Sequence, residues 1–231
     1  MGFNIVDWVI ITVIAVSVIY GLYRGFINGV LSVAAFIASA VLAFSLCGDL
    51  AAWLQQNKTL VDTLIYYTDA GSRISNLDLS LLPVSQVTES ALSQILQSAN
   101  LPAAFEEAFI SSFAGASATT NIAQLLSQTI VNVSLSILSF LICFFVAYIV
   151  CTFLIHLISY VFELPVLRHL DSLVGGVFGL IRGVMMVFVL FALVPIILAV
   201  VPVDFVGEAV EASQLAPYFD SRIILQVLRG A

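Results

Sequence analysis

Charge is what this chain lacks most. Only 9% of its 231 residues are Asp, Glu, Lys or Arg, where a soluble domain carries about 25%. So few charges cannot cover the surface of an ordinary water-soluble protein. Histidine is scarce too: His156 and His169 are the only two, which leaves little acid–base machinery. The sequence contains no His-Glu-x-x-His, Gly-x-Ser-x-Gly, Walker loop or Gly-x-Gly-Asp protease signature, so an enzyme is not expected. The net charge is −7 and no basic block occurs, so nucleic acid is not an expected partner. Cys47, Cys143 and Cys151 form no Cys-x-x-Cys pair and lie in or beside apolar stretches. That pattern argues against a metal site or a disulfide framework, and for buried structural thiols. No cofactor is expected.

What is present is apolar. Hydrophobic residues make up 61% of the chain and the mean hydropathy is +1.15. They collect in runs of roughly 20 residues, the thickness of a bilayer core. In lipid the backbone must satisfy its own hydrogen bonds, as a helix or a closed barrel. Barrel strands alternate apolar and polar residues; the run Val184–Val201 does not. The expected fold is therefore all-α: a polytopic membrane protein with four transmembrane helices in two hairpin-like pairs and an extracytoplasmic helical insert. The bilayer is its first expected partner. Asp7 stands where a signal peptide needs basic residues, so the first apolar stretch is expected to remain as a membrane helix. Val6 replaces the Ser or Thr that a myristoylation motif wants after Met1-Gly2.

Four regions follow. Residues 1–46 hold the first two spans, about 5–23 and 30–46, joined by Arg24-Gly25 and Asn28-Gly29. Residues 47–123 are richer in Ser, Gln, Asn and Thr and form the insert. Within it Thr59 and Asp62 resemble a capping box. Leu92, Ile95 and Leu96 share a face, and Pro102 fits the start of a helix carrying Phe105, Phe109 and Phe113. Residues 124–201 hold the third and fourth spans with a polar loop between them. The third lies within a helix of about 121–162. Gln124, Gln128, Asn132 and Ser136 mark its projecting part, and Ser139, Cys143, Ala147 and Cys151 its small-residue stripe. The fourth span covers about 183–201 with a kink at Pro195; the apolar stretch 172–181 is either a re-entrant or interfacial segment or an extension of the span ten residues earlier. Residues 202–231 are a tail whose end, 222–229, fits an interfacial helix.

One pattern occurs twice. Gly21-Leu-Tyr-Arg24-Gly25 continues to Gly29, and Gly179-Leu-Ile-Arg182-Gly183 is preceded by Gly175. Glycines four residues apart on a helix make a groove for close backbone packing. The arginines admit two roles: anchors snorkelling to headgroups, or members of a polar site in which Arg182 pairs with Asp171. His156, with Thr152, Ser159 and Glu163 on nearby turns, is read as a structural histidine ahead of a proton relay. By the positive-inside rule, Arg24, Arg168 and Arg182 place the two short connections in the cytoplasm. Both termini, the insert and the tail then lie outside.

These residues resemble the colicin V production protein family of bacterial inner-membrane proteins. The resemblance rests on Asn-Ile-Val-Asp-Trp followed by Tyr-Arg-Gly-Phe, on Leu-Asp-Ser-Leu-Val-Gly-Gly-Val-Phe-Gly-Leu-Ile-Arg-Gly, and on Ser213-Gln-Leu-Ala-Pro-Tyr-Phe219. It covers about residues 4–46 and 135–220. It implies four membrane helices, and signature positions at Asp7, Arg24, Gly25, Asp171, Gly175, Gly179, Arg182 and Gly183. It also implies a non-enzymatic cell-membrane protein that supports bacteriocin production or export and envelope function. The expected partner is a second copy or an envelope or secretion protein. The rival reading is a small transporter or channel subunit, with Arg24, Arg182 and Asp171 at a polar intramembrane site.

Overall fold

The computed structural model describes residues 4–68, 74, 77–99, 101–117, 119–161, 168–200 and 204–219. Every regular element of the described chain is helical, and one isolated bridge joins Pro83 to Asn121. Nine α-helices are named along it: α1 (Ile5–Gln55), α2 (Lys58–Thr68), α3 (Leu77–Leu81), α4 (Glu89–Ala99), α5 (Ala103–Gly115), α6 (Ile122–Val161), α7 (Arg168–Phe191), α8 (Val194–Val200) and α9 (Asp204–Glu211). Short 3-10 turns occur at Val84–Gln86 and Ala216–Phe219.

Three helical stretches among the described residues are long and apolar enough to cross a membrane: Ile5–Gln55, Ile122–Ile155 and Ser172–Leu198. Four were expected. The difference lies in α1, where the two spans read from residues 5–23 and 30–46 belong to one element of 51 residues with no loop between them. Its only break is Gly25, at φ 78° and ψ −178°, a conformation open essentially to glycine. Asn28 Nδ2 donates to the Arg24 carbonyl across the break at 3.0 Å. The second expected turn residue, Gly29, stays helical. Arg182 hydrogen-bonds both Ser17 and Ser32, which a straight helix would hold about 22 Å apart. The backbone therefore turns sharply at Gly25.

α7 settles where the last apolar stretch begins. It is helical from Arg168, so residues 172–181 join the span and Arg182 sits inside it. The kink expected at Pro195 falls three residues before it. Pro195 has no N–H for the Phe191 carbonyl, and the chain tightens through Ala192 and Leu193, which donate to Val189 and Leu190.

α6 changes character along its length. Ile122, Leu126 and Ile130 are buried beneath the insert helices, against Ile95, Phe105 and Phe109. Gln124, Gln128 and Asn132 are exposed on the other side. Further along, Phe140 and Phe144 pack with Phe36, Ala43 and Val189, while the outward face becomes Val146, Ile149, Val150, Phe153 and Leu157. Such a wholly apolar exposed face is what lipid covers. Ser139 is buried, and Cys143 packs at the edge of the same core. All three cysteines are free thiols. In the insert, Pro102 precedes α5 as expected. The cap of α2 is Asn57, whose Oδ1 accepts from Leu60 N at 3.4 Å, not Thr59. Thr59 lies inside the first turn, where its carbonyl receives the Thr63 hydroxyl. The tail helix expected at 222–229 lies outside the described residues.

Two glycines test the account of α1. Gly25→Ala forces a side chain into a glycine-only conformation and should cost about 1–3 kcal/mol. Gly48, with nothing within 4 Å of the position a Cβ would take, should gain up to about 1 kcal/mol as Gly48→Ala. Unfolding midpoints in one detergent measure both.

Candidate functional site

The two glycine ladders meet each other. Gly21, Gly25 and Gly29 of α1 all lie against Gly175 of α7, and Gly179 packs on Gly21 and Ser17. A Cβ on Gly175 would run into the Gly21 carbonyl and stand 2.8 Å from the Gly25 Cα. One on Gly179 would stand 2.5 Å from the Ser17 carbonyl, and one on Gly183 would stand 3.1 Å from the Ile14 Cα. At Gly21, Gly175 and Gly179 the neighbours under 3.0 Å are backbone and cannot swing aside, so these positions admit only glycine; Gly29 and Gly183 are tight but less strictly so. Ser172 closes one end, its hydroxyl donating to the Leu22 carbonyl at 2.7 Å.

Arg182 leaves this seam sideways. Its Nε donates to Ser17 Oγ at 3.1 Å and its Nη1 to Ser32 Oγ at 3.4 Å. The guanidinium lies 4.8 Å from the centre of the Tyr20 ring, and that of Arg24 lies 5.2 Å from the same ring. Arg182 lines an open groove of about 420 Å³ with Ser17, Tyr20, Tyr148, Thr152 and Met186. A second, water-sized space of about 30 Å³ joins Arg182 to Arg24, Asn28 and Ser32. Neither space is lined by a carboxylate among the described residues. Arg182 thus faces a cavity within the helix group, whereas the Arg24 side chain is exposed.

Asp171 is eleven residues before Arg182 on an unbroken helix. That rise is about 16 Å, beyond the reach of the two side chains, so the expected pairing within α7 is not available. The Asp171 and His156 side chains, and Glu163, lie outside the described residues. No cluster of metal ligands occurs among the described residues.

A second constellation joins the chain's two ends. Asp7 is fully buried. Its Oδ1 accepts from Ser213 Oγ at 2.6 Å and Leu215 N at 3.0 Å. Its Oδ2 accepts from Asn4 N at 3.0 Å and Gln214 N at 3.4 Å. Asn4 and Asp7 form a capping box on α1, and Asn4 Nδ2 reaches the Ala209 carbonyl at 2.7 Å. Ser213 Oγ in turn accepts from Ala216 N. Below this clamp Phe219 packs on Phe188 and Phe191 at ring distances of 5.0 and 5.7 Å. The sequence singled out Asp7 and the Ser213–Phe219 segment separately, without joining them. Ser17, Ser32, Tyr20, Tyr148 and Thr152 were not singled out as partners of Arg182. The available signal was a pair of seryl hydroxyls in apolar helix, at almost equal distances on either side of Gly25.

The apolar helices and the interlocked glycine seam define a helical membrane protein. The family model described as colicin V production protein matches residues 6–99 and 107–223. The chain belongs to the colicin V production protein family. The match takes in most of the insert, further than the residues that carried the resemblance. No match was found among curated proteins or among solved structures.

The clamp makes a ranked prediction. Asp7→Ala removes the acceptor of four donors and should lower the unfolding midpoint more than Ser213→Ala, which removes one donor and one turn cap. Limited proteolysis should release the tail after residue 200 faster in both. Equal resistance to wild type would show that the clamp does not hold the tail.

Proposed function

We propose that this chain is a non-enzymatic, multi-pass protein of the bacterial cell membrane that supports bacteriocin production or export and envelope function. The observation that carries this reading is the glycine seam. It is a close contact between helices of matching apolar character. Each arm of α1 is long enough to cross on its own, since residues 5–24 rise about 28 Å and residues 26–55 about 44 Å. With α6 and α7 that gives four crossings. The connections at Gly25 and before α7 then face the cytoplasm, and both termini, the insert and the tail face outward. The exposed Trp8 and Tyr218 suit the outer interface, and Tyr23 and Phe26 the inner one. A second copy of the chain or an envelope or secretion protein is the proposed partner.

The groove beside Arg182 favours a second reading, a small transporter or channel subunit. An intramembrane cation that faces a cavity marks a pathway more often than an anchor does. Complementation of a strain deleted for its own family member separates the two, scored by bacteriocin secretion and detergent sensitivity. Under the packing reading, Gly175→Leu abolishes function and Arg182→Gln leaves it nearly intact. Under the pathway reading, Arg182→Gln abolishes function while the protein still accumulates in the membrane. Because Asp171 and Arg182 stand about three turns apart, exchanging their charges should not restore what either single change loses.

A further inference from the structure

The Arg182 groove has the make-up of a site for one class of molecule. A guanidinium carries five N–H donors and stays charged at any physiological pH. Two of those donors go to Ser17 and Ser32, which leaves the others free to form a forked contact with an oxyanion. A second guanidinium, that of Arg24, is gathered against the same Tyr20 ring. Arg24, though exposed, also lines the small space beside Arg182, so both guanidinia favour an anion there. The described lining supplies none.

The rest of the groove is not built for a free ion. Val13, Val16 and Met186 form its apolar wall. Exposed Val9 and Ile19 on α1 and Ile149 and Phe153 on α6 lie within a turn of residues that line the groove. In a bilayer such exposed apolar side chains meet lipid tails, and the groove beside them is open. Measured from the Gly25 turn, Ser17 lies about 12 Å up the helix, within headgroup reach of a lipid drawn slightly inward.

We propose that this groove takes the headgroup of an anionic phospholipid from the surrounding leaflet, with the phosphate on Arg182 and one acyl chain along Val13, Val16 and Met186. Arg24 and Tyr148 border the headgroup. The proposal rests on the membrane placement proposed above, in which Arg182 stands at membrane depth beside an open groove.

The test uses the full chain, purified in a neutral detergent and stripped of lipid, with binding read by native mass spectrometry. Phosphatidylglycerol should be retained about tenfold more than phosphatidylcholine of the same chain length, because both bring a phosphate but the choline cation opposes the two arginines. Arg182→Gln should lower it to the phosphatidylcholine level. Val16→Trp, at an exposed position, fills the apolar wall and leaves both arginines in place; it should do the same. An excess of inorganic phosphate should not displace the lipid. Equal retention of the two lipids, unchanged retention in the variants, or displacement by inorganic phosphate would each overturn the proposal. If Arg182→Gln does not fold, Val16→Trp decides. Carbonate washing of membranes tests the underlying reading separately. Protein lost to the wash sinks the membrane placement itself, whereas protein retained without a lipid preference sinks only the headgroup assignment.

Discussion

The backbone contact between α1 and α7 is the constraint on which the other features depend. Apolar helices in a bilayer gain little by hiding from lipid tails that are as apolar as they are; they associate through close packing and hydrogen bonds. Glycine at 21, 25, 29, 175, 179 and 183 lets the two backbones approach until carbonyl oxygens and Cα atoms occupy the space side chains would take. At that distance the register is fixed. Moving α7 by one turn would keep glycine opposite glycine over part of the ladder, but it would take Arg182 away from Ser17 and Ser32 and Ser172 away from Leu22. The polar contacts choose among the positions that the glycines permit.

Two consequences follow for the ends of the seam. Toward the Gly25 turn, α6 contributes the bulky Tyr148 as well as Thr152, and the space around Arg182 stays open. Toward the opposite end, α7 carries Val187, Phe188 and Phe191 against Ile10 and Phe219, and the buried Asp7 carboxylate fastens the segment after α9. One side of the seam therefore opens on a cationic groove and the other closes in a hydrogen-bonded clamp. A burial cost as high as that of Asp7 is offset only because four donors converge on its two oxygens.

Much of this was legible in the residues. Long apolar runs gave helices, the four-residue glycine spacing gave packing faces, and the aromatic stripe of Phe105, Phe109 and Phe113 gave α5. What stayed hidden was pairing. Periodicity reports which face a residue occupies and not its height or its neighbour. Asp171 and Arg182 share a face yet stand about three turns apart, and the two glycine ladders read as copies of one element when they are the two sides of one contact. Asp7 and Ser213 are 206 residues apart, and nothing local in either segment points to the other. Gly25 and Gly29 looked equally fit to turn the chain. The turn fell at Gly25, and Gly29 stays helical to admit α7 close beside it. Arg182 looked peripheral only while the span was taken to begin after it.

The sharp turn at Gly25 is the claim on which the arrangement stands, and a distance measurement tests it directly. Spin labels are placed at the exposed positions Thr12 and Ala38, with the three native cysteines replaced, and the protein is returned to liposomes. With the backbone turned at Gly25, pulsed dipolar spectroscopy should give a separation of about 20 Å or less, as for helices packed side by side. A distance near the roughly 39 Å of an uninterrupted helix would contradict the account.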